Sequence, residues 1–184
     1  APFVLTAWLF LLATYAFSAI DGSGLPMSTV VVPIDPAVAS PLAFVDFVQG
    51  VLKSITQVFL KASVLAALLL LAGLAVNSIA AAAFALAGAI VAVVTAHVLG
   101  AESDLITGGL MGFSPVLTAI ALGAVFYKPS PRVAVYALVG TVFTVIVQGA
   151  MNVALTPFGI PTLTGPFVLA SWLFLLPRQH FGRA

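Results

Sequence analysis

Four long stretches of this chain contain no Asp, Glu, Lys or Arg, and they constrain the fold more than any other feature of the sequence. The stretches are residues 1–20, 62–101, 105–127 and 133–177. An α-helix needs about 20 apolar residues to cross about 30 Å of hydrocarbon. The stretches lack the period-2 alternation of a membrane β-barrel. The pattern therefore predicts an all-α integral membrane protein.

Composition and internal breaks refine this prediction. Charged residues make up 6% of the chain, hydrophobic residues 62%, and the mean hydropathy is +1.26. A soluble domain carries about 25% charged residues. Each of the two longest stretches has a break near its middle, at Asn77-Ser78 and at residues 156–161. We therefore expect about six membrane crossings.

A short segment occurs twice, once at each end of the chain. Residues 1–12 read APFVLTAWLFLL and residues 165–176 read GPFVLASWLFLL, with nine of twelve positions identical. The shared Pro-Phe and the shared Trp, in one register, are harder to obtain by chance than the leucines. The copies predict a duplicated unit, of which this chain holds the end of the first copy and all of the second. Membrane transporters often use such repeats, with the solute path at their interface.

The segment at residues 44–60 is too polar for a helix that faces lipid. We interpret it as an amphipathic half-helix that enters the membrane from one side, which requires burial in protein or a water-filled path. A helix lying flat at the membrane surface is the alternative. Gln57, near its end, can both donate and accept hydrogen bonds. It could contact a solute or form an interhelical hydrogen bond.

Two further segments could contact a solute. Gly108 and Gly112 have the GxxxG spacing that permits close helix approach. Phe113 and Leu117 follow and share one helix face, where packing is the alternative role. Residues 156–167, TPFGIPTLTGPF, predict irregular backbone at bilayer depth, with the Thr162 and Thr164 hydroxyls nearby. A broken element of this kind is a strong sequence indicator of a transporter's binding site.

Three motifs together carry a family resemblance: TQVF at 56–59, GLMGFSPVLTAIALG at 109–123, and PTLTGPFVLASWLF at 161–174. With them the chain resembles the urea transporter family in its bacterial form, over about residues 44–176. The resemblance implies an inverted-repeat helical channel fold with a re-entrant half-helix, of which about one and a fraction repeats would be present. It implies residues 1–20 as the last helix of the first repeat, 21–41 as a linker loop, 42–177 as the second repeat and 178–184 as a cytoplasmic tail.

The resemblance also implies which residues contact the permeant. Three lie at the end of the re-entrant helix, two form apolar slot walls, and one supplies a hydroxyl at mid-slot: Gln57, Val58, Leu60, Phe113, Leu117 and Thr164. Urea is flat, neutral and rich in N–H donors. A column of oxygen atoms along the path could therefore replace, one after another, the hydrogen bonds that urea makes to water. The chain departs from the family pattern at Lys61–Val64, where an Asn-rich turn is usual, and at Ser114, where Asn is usual. The departures concern the permeant more than the fold.

The resemblance further implies urea as permeant, a homotrimer, and a multi-pass protein of the inner or plasma membrane. Arg178, His180 and Arg183 follow the last apolar stretch and predict a cytoplasmic C-terminus. We expect no enzyme activity, cofactor, metal or nucleic-acid partner, since His97 and His180 lack metal-ligand spacing and the net charge is +1. A coupled transporter, with Asp46 as the ionisable residue to check, and a non-conducting structural subunit remain the alternatives.

Overall fold

The computed structural model describes residues 2–16 and 41–176, and every regular element in those ranges is helical. The predicted linker, except for its last residue, and the predicted tail lie outside the described residues. The α-helices are α1 (Pro2–Ala16), α2 (Phe44–Thr56), α3 (Val64–Asn77), α4 (Ile79–Val98), α5 (Ser103–Thr107), α6 (Phe113–Ile120), α7 (Pro131–Leu155) and α8 (Gly165–Leu175). A π-helical turn at Ala121–Val125 extends α6.

Serine side chains begin three of these helices. The hydroxyls of Ser63, Ser78 and Ser130 accept hydrogen bonds from the backbone N–H three residues on, at 3.4, 3.2 and 3.3 Å. Such a cap satisfies one of the backbone donors that a helix start leaves unpaired. Ser78 is also extended, so α3 ends and α4 begins at the predicted Asn77-Ser78 break.

Helix α4 lies at the centre of the described bundle and packs against α2, α3, α6 and α7. Apart from Val93, its buried residues are small and stand at helical spacing: Ala81, Ala85, Gly88, Ala89, Ala92 and Ala96. A Cβ on Gly88 would lie 2.5 Å from the Cβ of Ala119 on α6. The small stripe therefore lets the neighbouring backbones approach closely, as is usual where lipid offers no hydrophobic driving force.

The outer surface of the bundle is apolar. Leu65, Val76, Ile79 and Val135 are 69%, 91%, 79% and 65% exposed. In water such a surface would promote aggregation, whereas lipid tails solvate it without cost. The fold class is therefore confirmed as an all-α membrane protein.

Among the described residues, fewer helices reach spanning length than the about six crossings that the sequence predicts. In the described residues, α4 and the helix at 131–158 are long and apolar enough to cross a membrane. The α2 and α3 helices could form a third, broken span, since they meet at a bend of 72°. The prediction of about six crossings assumed one helix for every 20 or so residues of an uncharged stretch. In the described residues, however, α1, α8 and the helix at 113–125 are each shorter than a membrane span.

Candidate functional site

A partly open cavity of about 400 Å³ lies where the broken elements of the fold meet. The ends of α2 and α7 border it, as do the start of α6 and the irregular segment before α8. Five lining residues are polar but uncharged and the rest are apolar: Gln57, Leu60, Leu105, Leu110, Phe113, Gln148, Asn152, Thr156, Ile160, Pro161, Thr162 and Leu163. Among the described residues that line the cavity, no side chain is ionisable. The site can therefore exchange hydrogen bonds with a neutral solute without a titrating group.

The end of α2 reaches the cavity through a tight turn. The 3-10 turn Gln57–Phe59 follows α2, and Leu60 then adopts a left-handed conformation with φ 55°. The backbone N–H of Leu60 donates to Gln57 and that of Lys61 to Thr56, at 2.9 and 3.3 Å. This pair of bonds is the Schellman motif, which usually places glycine at the left-handed position. The turn brings both Gln57 and Leu60 to the cavity wall.

Gln57 also fixes this turn to the next segment of the chain. Its Nε2 donates to the carbonyl oxygen of Gly108 at 3.0 Å. Residues 108–112 form turns rather than a helix, so the predicted helix–helix contact through Gly108 and Gly112 is wrong. Instead, Gly109 and Gly112 lie against α2: an added Cβ would come within 2.5 Å of the Ser54 backbone N at the first and 2.0 Å of its Oγ at the second. Because of these close approaches, Phe113, the first residue of α6, lies at the cavity.

The end of α7 repeats the same backbone motif on another wall. The 3-10 turn Thr156–Phe158 follows α7, and Gly159 is left-handed with φ 60°. The N–H of Gly159 donates to Thr156 and that of Ile160 to Leu155, at 3.0 and 3.3 Å. The predicted break at residues 156–161 is thus confirmed.

Helix α1 holds the irregular segment from outside. The indole Nε1 of Trp8 donates to the carbonyl oxygen of Pro161 at 3.0 Å, and the Tyr15 hydroxyl donates to that of Phe158. The Trp8 ring packs on Gly165, where an added Cβ would lie 2.6 Å from it. Several carbonyls of this segment are therefore satisfied by the protein and do not need a permeant.

A chain of polar side chains borders the cavity on the α7 side, and the sequence analysis missed two of its members. Gln148 donates through Nε2 to Asn152 Oδ1 at 3.1 Å and to Thr162 Oγ1 at 2.8 Å. Asn152 in turn donates to the sulfur of Met111 at 3.8 Å. Gln148 and Asn152 stand four residues apart in an uncharged helical stretch, and that spacing of two amides was the available signal.

The structure brings together three of the six sequence-predicted residues. Gln57, Leu60 and Phe113 line the cavity. The other three are not among the residues that line it: Val58 is half-buried in the same turn as Gln57, Leu117 is half-buried in α6, and Thr164 is the N-terminal cap residue of α8. Their contact with a permeant stays a prediction.

A helical membrane protein whose broken helices surround an uncharged polar cavity has the features of a channel or transporter. The sequence matches the urea transporter family over residues 1–179, so the chain belongs to that family. It is also 33% identical over 89 residues to Urea transporter 1 of Ovis aries and to Urea transporter 1 of Capra hircus. Each alignment covers 48% of this chain and 23% of the relative, so the chain spans about a quarter of the length of these relatives.

Proposed function

We propose that this protein mediates passive, channel-type transport of urea or a similar small neutral amide. The observation that carries the proposal is the uncharged polar cavity at the junction of the α2 and α7 ends. Amide and hydroxyl groups there can replace the hydration of a neutral solute. A hydrated ion would lose its solvation without a compensating charge, so the same lining excludes it. Membership of the urea transporter family supports urea as the permeant.

Polar and apolar lining residues have different proposed roles. Gln57 retains an amide oxygen after its donation to Gly108 and can accept from a permeant N–H. Phe113 and Leu60 supply apolar walls for a flat molecule. Val58, Leu117 and Thr164 form the continuation of the slot, in a part of the path beyond this cavity.

The repeated segment supports a two-repeat organisation. Residues 1–20 are the last helix of a first repeat, 21–41 a linker, 42–177 a second, inverted repeat with α2 as its re-entrant half-helix, and 178–184 a cytoplasmic tail. The separate position of α1, which contacts the irregular segment through Trp8 and Tyr15, agrees with an origin outside the second repeat. The family resemblance adds a homotrimer in the inner or plasma membrane.

Urea flux into proteoliposomes tests the function directly. The product of the whole gene is reconstituted, and uptake is followed by stopped-flow light scattering with and without a pH gradient. We expect saturable flux that is independent of the gradient. Flux that requires the gradient would instead favour a coupled transporter, with Asp46 as the first residue to substitute, and absence of flux would indicate a structural subunit.

A pair of bulky substitutions tests the location of the path. We expect Thr164→Phe to block urea flux because it fills the proposed slot. Val139→Phe is the matched control, since Val139 lies on the outward face of α7 and is 55% exposed. Equal loss of flux in both variants would argue against the proposed path.

A further inference from the structure

Thr162 combines burial, a defined hydrogen-bond partner and a place in the cavity wall. It is 7% exposed and lines the cavity, two residues before the α8 cap residue Thr164. Its Oγ1 accepts a hydrogen bond of 2.8 Å from Gln148 Nε2. Because the oxygen acts as acceptor in that bond, the hydroxyl hydrogen is left to donate elsewhere. Within the described residues it has no acceptor.

The orientation of the Gln148 amide decides the direction of this bond. Asn152 Nδ2 donates to Met111, which turns Asn152 Oδ1 towards Gln148. A reversed Gln148 amide would place its Oε1 against that oxygen, and two acceptors would meet without a hydrogen. The chain from Met111 through Asn152 therefore makes Gln148 a donor to Thr162, and not the reverse.

This orientation leaves one buried acceptor of Gln148 without a hydrogen bond to any described residue. Gln148 is 1% exposed, and its Oε1 is buried with no hydrogen-bond partner in the described part of the chain. A buried unpaired acceptor costs about 1–3 kcal/mol. Unsatisfied groups of this kind often mark functional positions. What the orientation provides is a hydroxyl hydrogen that a solute in the cavity can accept.

We propose that Thr162 donates a hydrogen bond to the carbonyl oxygen of the permeant and that Gln148 is the positioning residue that orients this donor. The inference rests on the proposed transport of a small neutral amide. Together with the Gln57 amide oxygen, which can accept from the solute, this donor allows both the N–H edge and the carbonyl edge of the solute to be recognised. A solute whose carbonyl is replaced by a weaker acceptor is disfavoured.

The ratio of urea to thiourea permeability measures this recognition, because sulfur is the weaker hydrogen-bond acceptor. Permeabilities are measured by stopped flow with the product of the whole gene in liposomes. We expect Thr162→Val to lower urea permeability about three- to tenfold, the equivalent of one lost hydrogen bond, and to lower the ratio. Thr162→Ser keeps the hydroxyl and should keep the ratio.

A matched control separates this effect from loss of structure. Thr144 lies one turn from Gln148 on α7, is fully buried, donates to the Gly140 carbonyl at 2.7 Å and does not line the cavity. Thr144→Val should leave the ratio unchanged even if it lowers the melting temperature. An unchanged ratio in folded Thr162→Val protein would overturn the proposal.

Gln148→Glu tests the positioning role, because an ionised carboxylate can only accept from Thr162 and would turn the hydroxyl hydrogen away from the cavity. No ionisable side chain lines the cavity in the described residues, so titration there belongs to the introduced group. We expect the variant's urea-to-thiourea ratio to fall as the pH rises from about 5 to about 9, while the ratio of the unsubstituted protein stays constant. A ratio that is independent of pH and equal to that of the unsubstituted protein would contradict the role of Gln148.

If the unsubstituted protein conducts neither solute, the proposed function itself fails, which is a different result from conduction with an unchanged ratio.

Discussion

The ends of α2 and α7 use the same backbone motif to border one cavity, but they differ in the residue at its left-handed position. The α7 end has Gly159, with φ 60°, and the α2 end has Leu60, with φ 55°. For a residue with a Cβ, this conformation costs roughly 1–2 kcal/mol, and glycine avoids the cost. Leu60 also has its side chain in the cavity wall. The comparison predicts that a side chain at this position contributes to the proposed path, which would account for the strain at Leu60.

The two ends also differ in what holds them. Gln57 ties the α2 end to Gly108, and Gly109 packs directly on the α2 backbone. The α7 end is held by α1, through the bonds from Trp8 to Pro161 and from Tyr15 to Phe158. The α2 end thus depends on close packing within the proposed second repeat, whereas the α7 end depends on side chains about 150 residues away in sequence.

Gly109→Ala should have the largest effect and act on the α2 end alone. Gly109 has φ +78°, and an added Cβ would lie 2.5 Å from the backbone carbonyl carbon of Lys53. Strain and a backbone clash combine, so we expect a loss of about 3 kcal/mol or more of the free energy of unfolding. Equilibrium unfolding in mixed detergent micelles measures the loss.

Gly100→Ala is the matched control for that substitution. Gly100 has a similar φ of +74°, but an added Cβ would meet nothing within 4 Å. It should therefore cost only the conformational strain, about 1 kcal/mol. If both variants lose the same free energy, the contact between Gly109 and α2 does not hold the α2 end.

Gly159→Leu gives the α7 end the residue that the α2 end has. We expect a loss of about 1–2 kcal/mol of the free energy of unfolding, because the left-handed conformation must now hold a Cβ. The same unfolding experiment provides the measurement. No measurable loss would mean that the turn changes its conformation on substitution, and that the likeness of the two ends is not required for stability.

The sequence predicted the positions of the helix breaks better than their surroundings. Asn77-Ser78 and the residues around Pro157 interrupt apolar stretches. Polar or proline residues at such places usually end a helix. Gln57 was likewise identifiable, since an amide in a half-helix needs a partner. These inferences depend on local chemistry, which is visible in one segment at a time.

The polar chain of Gln148, Asn152 and Thr162 could not be assembled in the same way. Two of its members belong to α7 and the third to the segment that folds back beside it, so only the tertiary fold shows that they meet. The repeated segment makes the same point. Phe3 is 71% exposed in α1, whereas its counterpart Phe167 in α8 is half-buried. Within the described residues, the two near-identical segments therefore differ in how much of each is buried.

Leu60→Gly gives the α2 end the residue that the α7 end has, and it should stabilise the chain. Glycine relieves the left-handed strain, and Leu60 is 79% exposed, so little burial is lost. We expect a gain of about 1 kcal/mol in the free energy of unfolding. The proposed slot would lose a wall, so the variant should also show lower discrimination between urea and larger amides in the flux assay. A gain in stability with unchanged discrimination would separate the strain at Leu60 from any role in the path.

Trp8→Phe should have the smallest effect and tests the support of the α7 end. Phenylalanine removes the N–H that donates to Pro161 and also the distal indole carbons Cζ2 and Cη2, which are the Trp8 atoms nearest Gly165. Side-chain hydrogen bonds in membrane proteins contribute about 0.6 kcal/mol on average, so we expect Trp8→Phe to lose about that much more than a substitution that only reduces ring size. Trp172→Phe is the control offered by the repeat, because the Trp172 side chain is 52% exposed and forms no hydrogen bond to the described residues. A loss confined to Trp8→Phe would show that α1 holds the cavity segment through this bond, whereas equal losses would mean that ring size, common to both tryptophans, accounts for the effect.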